Sequence, residues 1–376
     1  MVVVGAGSRH AEVKLTLRYN LPDPPDPVMA AHVARHAVAV LGAQRIKRAA
    51  AVGYGPGDLV TPVADALQAL APQGGITVTE LLRVENERYW SYICADTRCC
   101  PPEGTPFDLT DHPVAQALAT GASRVLSSRA ELAATVAPVD GEAGSAMRRA
   151  TRQAEAQVAR LIAKVARSGA KASARRLIAT VGVDTVSQVI HRYRAGETAS
   201  PEVAAWVSVV LRDMRVRDDA WSRMLPEHAQ AHLRLWTDIT RMARPGYVPA
   251  PASLLAFVAW QAGNGALANV ALDRALADDP GYSMAMLLRQ AVESGAPPSL
   301  ARLPMTPEQV AASYDEMEAA DGDGCDGDGD YDEYADDSDR DDFDDDDFDF
   351  DGDGDGDEAG DRYDEDDQVA AGGEDD

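Results

Sequence analysis

Short strand-like and helix-like patterns alternate along the first part of the chain. Residues 2–4 form an apolar run and residues 13–19 alternate apolar with polar side chains, so both segments are predicted strands. Asp26 and Pro27 then give a usual helix start, a capping carboxylate followed by proline at the first helical position. The apolar spacing predicts that this helix covers about residues 28–41.

The same alternation continues through a second set of elements. Residues 49–52 form a short apolar strand, and residues 62–70 return to helical spacing. Residues 76–84 and 88–94 are predicted to be two more strands, joined by a short polar turn. Because strands alternate with helices, the pattern predicts an α/β domain over residues 1–140.

From about residue 141 the chain changes to long alanine-rich helical stretches separated by glycine and proline. This pattern predicts an all-α helical domain over residues 141–312. The small and apolar residues from Gly263 to Pro280 have the spacing of the second helix of a tetratricopeptide repeat, which predicts a repeat-like hairpin at about residues 250–294. Only one copy is evident and a solenoid needs about three, so a hairpin packed on its own domain is favoured over a peptide-binding groove.

The negative charge of the chain is concentrated at its C-terminal end. The formal net charge is -27, and residues 321–376 contain 30 acidic residues against two basic ones. The rest of the chain is therefore close to neutral. An Asp/Gly-rich, low-complexity segment with few aliphatic side chains cannot offset the entropy of ordering. We expect residues 313–376 to form a disordered acidic tail.

A basic segment in the predicted helical domain offers this tail a partner of opposite charge. Residues 145–195 contain 11 basic residues and only two acidic ones, Glu155 and Asp184. We expect the tail to contact this segment, because opposite charges on one chain meet at high effective concentration. A solubilising tail beside a solvated helix face is the alternative. The net charge of -27 and the lack of a reader motif argue against nucleic-acid binding.

Neither a membrane span nor a secretory leader is evident in the sequence. No run of about 18 apolar residues is free of charge and proline. The first residues, MVVVGAG, lack the basic leader and the cleavage site of a secretory signal. We therefore expect a cytoplasmic protein with no membrane partner.

The most informative stretch is residues 88–106, RYWSYICADTRCCPPEGTP. It closely resembles the signature of an uncharacterised actinobacterial family, domain of unknown function 4192. The resemblance extends to residues 53–56, 128–130 and 278–283, and it covers most of the chain before the tail. The family implies no established activity, so the resemblance leaves the function unknown.

The cysteines of this stretch are candidate metal ligands. Cys94, Cys99, Cys100 and His112 together supply four zinc-compatible ligands, and soft thiolates favour zinc. The spacing differs from the paired cysteines of structural zinc sites, so a reversible disulfide and a structural loop stabilised by prolines stay open as alternatives. We expect a functional site, for a ligand or for catalysis, at this loop. Its candidate residues are Trp90, Tyr92, Cys94, Cys99, Cys100 and Glu103.

A glycine-rich turn is a second candidate site. Gly53, Gly55 and Gly57 follow a predicted strand and precede a helix, where free backbone amides can bind an anion. A plain tight turn is the alternative interpretation.

Two functional hypotheses follow from these features. The helical domain, the hairpin and the charged tail favour a non-catalytic interaction or regulatory protein with a protein partner, since these features make surfaces rather than reaction centres. The alternative is a small-ligand-binding protein or an enzyme, with its site near the cysteine loop and with zinc as its cofactor.

Overall fold

The computed structural model describes residues 1–7, 12–110, 112–120, 126, 128–167, 171–300 and 305–322. An N-terminal sheet is followed by a long series of helices, as the sequence predicted. The sheet has six strands, one more than the five predicted. The strands are β1 (Val2–Ala6), β2 (Val13–Arg18), β3 (Arg48–Tyr54), β4 (Thr77–Glu85), β5 (Arg88–Ser91) and β6 (Thr105–Pro106). The first helices are α1 (Pro27–Ala43), α2 (Gly57–Leu70), α3 (Pro113–Thr120) and α4 (Arg129–Ala134).

The strands form one mixed sheet in the order β2-β1-β3-β4-β5-β6. β3 and β4 pair in parallel and are connected through α2, whereas the other neighbours pair antiparallel. Asn86 and Glu87 both have positive φ, 49° and 57°, which is the backbone of a two-residue hairpin turn. This turn joins β4 to β5 at the predicted place.

Both N-terminal helices cover one face of the sheet. The Asp26 carboxylate caps α1, accepting hydrogen bonds from the backbone N–H groups of Val28 at 2.8 Å and Met29 at 3.3 Å. α2 begins at Gly57, five residues before the predicted start, and Pro62 lies inside it. The predicted start was late because proline usually marks the beginning of a helix, whereas here the helix tolerates it.

The core of this region lies between the sheet and the two helices. Val3 and Leu81 from the strands and Leu41 and Leu67 from the helices are at most 1% exposed. A Cβ atom on Gly53 would lie 2.2 Å from Val60 Cγ1, so β3 and α2 pack at a distance that only glycine permits.

The remaining helices enclose a second core. They are α5 (Gly141–Ala166), α6 (Lys171–Arg194), α7 (Pro201–Val210), α8 (Met214–Ser222), α9 (Ala229–Met242), α10 (Pro249–Gln261), α11 (Gly265–Asp278), α12 (Ser283–Glu293) and α13 (Pro307–Gly322). Two short 3₁₀ helices, Pro226–His228 and Pro298–Leu300, lie between them. α10 is central, because all its residues from Pro249 to Trp260 are buried.

α10 and α11 form a helical hairpin within the predicted range 250–294. They pack against each other and are connected by residues 262–264, where the Asn264 side chain accepts a hydrogen bond from the Leu267 N–H at 3.1 Å. The likeness of this hairpin to a tetratricopeptide repeat stays an interpretation of its sequence.

α13 extends into the segment that was predicted to be disordered. The structure differs from that prediction over residues 313–322, because contacts distant in sequence hold the helix in place. Tyr314 donates a hydrogen bond to Asp218 at 2.7 Å, and Asp315 pairs with Arg215 at 2.7 Å. The rest of the predicted tail, residues 323–376, lies outside the described residues. In the described part of the chain, no helix has the length and the apolar run needed to cross a bilayer.

Candidate metal site in the cysteine loop

The cysteines lie on the loop between β5 and β6. β5 was predicted to continue to Cys94 but ends at Ser91. The Ser91 hydroxyl oxygen accepts hydrogen bonds from the backbone N–H groups of Ile93 at 3.3 Å and Cys94 at 3.1 Å. This local turn competes with strand pairing and ends the strand.

A second turn returns the chain toward Cys94. The Asp96 backbone carbonyl accepts hydrogen bonds from the N–H groups of Cys99 at 3.0 Å and Cys100 at 2.8 Å. The Asp96 carboxylate accepts one from the Arg98 N–H at 2.9 Å and pairs with the Arg98 guanidinium at 3.0 Å. These bonds hold the pKa of the Asp96 carboxyl below its usual value.

The two turns bring the three cysteines together. The sulfur atoms of Cys94, Cys99 and Cys100 all lie within 4.8 Å of one another. Cys94 and Cys100 are half-buried and Cys99 is exposed, and all three are free thiols. Zn–S bonds of about 2.3 Å would place tetrahedrally arranged sulfurs about 3.8 Å apart, which is shorter than the 4.8 Å within which the three sulfurs lie.

Hydrogen bonds make the three thiols unequal. The Asp96 backbone N–H and the thiols of Cys100 and Cys99 donate to the Cys94 sulfur, and these bonds lower the pKa of Cys94. Donation to Cys94 raises the pKa of Cys100 to about 12. The cluster therefore loses its first proton from Cys94, and a cation would be needed to stabilise further thiolates.

The second half of the loop is fixed to β5. The Trp90 indole N–H donates to the Pro102 carbonyl at 2.9 Å, and Arg88 donates to the Gly104 carbonyl at 2.7 Å. Gly104 has a φ of 82°, and a Cβ atom there would lie 2.5 Å from the Trp90 ring. Only glycine therefore fits at this contact.

The Trp90 ring also contacts a cation. The Arg83 guanidinium lies 3.7 Å from the ring centroid and pairs with Glu85 at 3.2 Å. Tyr92 also points toward α2, where its hydroxyl hydrogen-bonds the Thr61 hydroxyl at 2.8 Å. The two rings thus anchor the loop against the helix-covered face of the sheet.

Residues 1–299 match the family described as Domain of unknown function (DUF4192). The chain belongs to the DUF4192 family. This match confirms the resemblance noted above, and it includes the sheet, the cysteine loop and the helices through α12. No curated protein and no solved structure matched the chain.

Two predicted site residues of this DUF4192 chain lie outside the cysteine group. His112 is not among the ligands that meet within 4.8 Å, and its Nδ1 instead accepts a hydrogen bond from the Val114 N–H at 3.3 Å. The structure therefore does not support His112 as a fourth ligand. Glu103 contributes its backbone carbonyl, which accepts from Arg88 at 3.3 Å.

The glycine turn of the DUF4192 chain lies directly before α2, as its sequence predicted. Gly53 allows close packing on Val60, and Gly55 has a φ of 125°. A Cβ atom on Gly57 would lie 2.7 Å from the Arg83 guanidinium. Anion binding at this turn stays a prediction, since these glycines also meet packing and backbone requirements.

Sequence reasoning missed the residues that shape the cysteine loop. Ser91 and Asp96 form the turns that bring the sulfurs together, and Arg88 holds the far end of the loop. Ser and Asp are frequent at such side-chain-stabilised turns, so their places before Cys94 and Cys99 were an available signal.

Proposed function

We propose that the protein is a non-catalytic regulatory or interaction protein whose cysteine loop binds one zinc ion. The observation that carries this proposal is the convergence of Cys94, Cys99 and Cys100 within 4.8 Å. Thiolates are the ligands that favour zinc over hard cations such as magnesium.

The grouping of three sulfurs favours a metal over a disulfide. A disulfide would join two of the three sulfurs and leave the third unused, whereas all three already share hydrogen bonds centred on Cys94. A divalent cation would replace the thiol protons and balance two of the three thiolate charges. This reasoning also supports a cytoplasmic location, because a reducing compartment keeps such thiols free.

The proposed zinc site has three ligands within the described residues, which leaves one tetrahedral position. Water or a side chain of a protein partner would occupy that position. Cys99 is exposed, so the site is accessible from the surface. A partner that supplied His or Cys there would bind only the metal-loaded loop, which gives the protein a regulatory function.

Zinc content tests the proposal directly. Tag-free protein is purified without chelator or added metal, and its metals are measured by elemental analysis. We expect close to one zinc per chain and its loss in Cys99→Ala. Cys325→Ser is the matched control, because it removes the cysteine outside the loop and should retain the zinc. Metal-free protein that also fails to take up added zinc would contradict the proposal.

Thiol counting separates zinc from a disulfide. The sequence contains four cysteines. Chelator-treated protein, denatured without reductant, should show all four as reactive thiols if the loop held zinc. Two missing thiols, restored by reductant, would show instead that the loop forms a disulfide.

We also propose that the acidic tail beyond α13 contacts the basic segment of residues 145–195. The supporting observation is that Glu318, near the end of α13, pairs with Arg176 of that segment at 2.8 Å. A labelled peptide of residues 323–376 should bind a chain ending at Gly322 more tightly than the full-length chain, whose own tail competes. Equal binding to both chains at low salt would contradict this contact.

A further inference from the structure

A second candidate site lies among the helices, away from every residue that the sequence singled out as a ligand. α4, α5, α9 and α11, with the segments that connect them, surround a cavity of about 620 Å³. This volume is within the range of small-molecule sites, about 300–1,000 Å³. The cavity is therefore large enough for an organic ligand.

The charged residues of the cavity are mainly arginines. Five arginines and three aspartates line it, so its lining is positive. The arginines are Arg129, Arg148, Arg241, Arg244 and Arg274.

Two of the aspartates already have structural partners. Asp273 pairs with Arg129 at 2.5 Å and with Arg289 at 2.6 Å. Asp278 accepts hydrogen bonds from the backbone N–H groups of Gly246 at 2.8 Å and Val248 at 3.4 Å. These carboxylates stabilise the walls. Burial lowers the pKa of the Arg274 guanidinium, and the nearby negative charge of Asp278 opposes that shift, so Asp278 offsets part of the Arg274 charge.

Arg274 has a buried donor that no described residue satisfies. Its Nε atom is inaccessible to solvent and has no hydrogen-bond partner among the described residues. Its Nη2 atom reaches only the Thr240 carbonyl, at 3.5 Å. The guanidinium stays charged, and a buried charged donor without an acceptor is costly. An anion in the cavity would supply that acceptor.

The rest of the wall is apolar. Side chains of four different segments contribute to it, and together they would contact a hydrocarbon body rather than a polar one. These residues are Val136, Pro138, Met147, Val248 and Val270.

We propose that this cavity binds a small organic anion. Its carboxylate or phosphate group pairs with Arg274, whose buried Nε has no partner among the described residues, and with Arg244, which also lines the cavity. Its apolar body contacts the aliphatic wall. This site shares no residue with the cysteine loop, so it stands or fails independently of the zinc proposal.

Calorimetric titration of the full-length chain with four probes tests the proposal. Octyl phosphate and octanoate carry the two candidate head groups, octylamine reverses the charge, and inorganic phosphate lacks the apolar body. We expect one site for octyl phosphate or octanoate, with binding at least about tenfold weaker for octylamine and for inorganic phosphate. The tighter of the two octyl anions identifies the head group.

Variants locate the binding in this cavity. Arg274→Gln should weaken the preferred octyl anion at least about tenfold. Its unfolding temperature without ligand should be unchanged or higher, since the variant removes a buried N–H donor that no described residue satisfies. Arg244→Gln should also weaken binding. Arg160→Gln on the exposed surface of α5 is the matched control and should bind as the wild type does.

Three results would overturn the proposal. One is no saturable binding of either octyl anion, and another is equal binding of octylamine. The third is unchanged affinity in both Arg274→Gln and Arg244→Gln, which would place the bound anion elsewhere. If Arg274→Gln failed to fold, the Arg244→Gln result alone would decide between these outcomes.

Discussion

His232 makes the stability of the helical core dependent on pH. It lies on α9 with 1% of its surface exposed. Burial, and then the positive charges of Arg194 and His228, lower its pKa from 6.5 to about 4. The folded protein therefore binds a proton at this ring more weakly than the unfolded chain does.

The size of the effect follows from the two pKa values. A histidine whose folded-state pKa is depressed contributes full stability above its unfolded pKa of 6.5 and loses it as the pH falls toward about 4. At about 1.4 kcal/mol for each pH unit, the unfolding free energy should fall by about 3 kcal/mol across this window through His232 alone.

Urea unfolding of wild type and His232→Gln measures this contribution. Four tryptophans lie in or against the helical core, so fluorescence reports its unfolding. Both proteins lose stability as carboxylates titrate, but the wild type should lose about 3 kcal/mol more between pH 6.5 and about 4. His191→Gln, at an exposed histidine on α6, should behave as the wild type does. Equal losses in wild type and His232→Gln would refute the reasoning.

Three further predictions concern the cysteine loop. Gly104→Ala should lower the free energy of unfolding, measured in urea, by about 1–3 kcal/mol and reduce the zinc content, because the new methyl group meets Trp90. Gly263→Ala is the control, since Gly263 also has a positive φ but a Cβ atom there would have no atom within 4 Å. It should lower the free energy of unfolding by less. In metal-free protein near neutral pH, Cys94 should react with iodoacetamide before Cys100, because its pKa is the lower of the two. Peptide mass spectrometry would show the order of reaction. The reverse order would contradict the assignment of Cys94 as the first thiolate. Chelation of zinc should lower the unfolding temperature of the wild type but leave that of Cys99→Ala unchanged.

Elements coded by local signals were predictable from the sequence. Asp26 and Pro27 predicted the start of α1, an apolar run predicted β1, and alternating side chains predicted β2, because these signals act within a few residues. The helical tail residues 313–322 were missed for the opposite reason. Their composition favours disorder, and the helix depends on Arg215 and Arg176, which lie far away in the chain.

The candidate sites also differ in whether nearby or distant residues form them. The three cysteines are close in sequence, so their grouping could be expected, whereas His112 follows β6 and does not return to them. The cavity could not be expected, since its walls come from residues such as Arg129 and Asp273, which are 144 positions apart. Periodicity predicts helices but does not predict which helix faces enclose a space.

The two proposed sites give separate tests of the two functional hypotheses. Zinc at the loop without ligand binding among the helices would make the open coordination position decisive. A partner's side chain there would favour the interaction protein, whereas a water there would favour the enzyme. An anion bound at Arg274 without zinc would favour the small-ligand-binding protein. If both bind, a regulatory protein becomes the stronger hypothesis, since one chain would combine a ligand cavity with a metal-dependent surface. Zinc affinity measured with and without the octyl anion would then show whether the sites are coupled, because any coupling must be reciprocal.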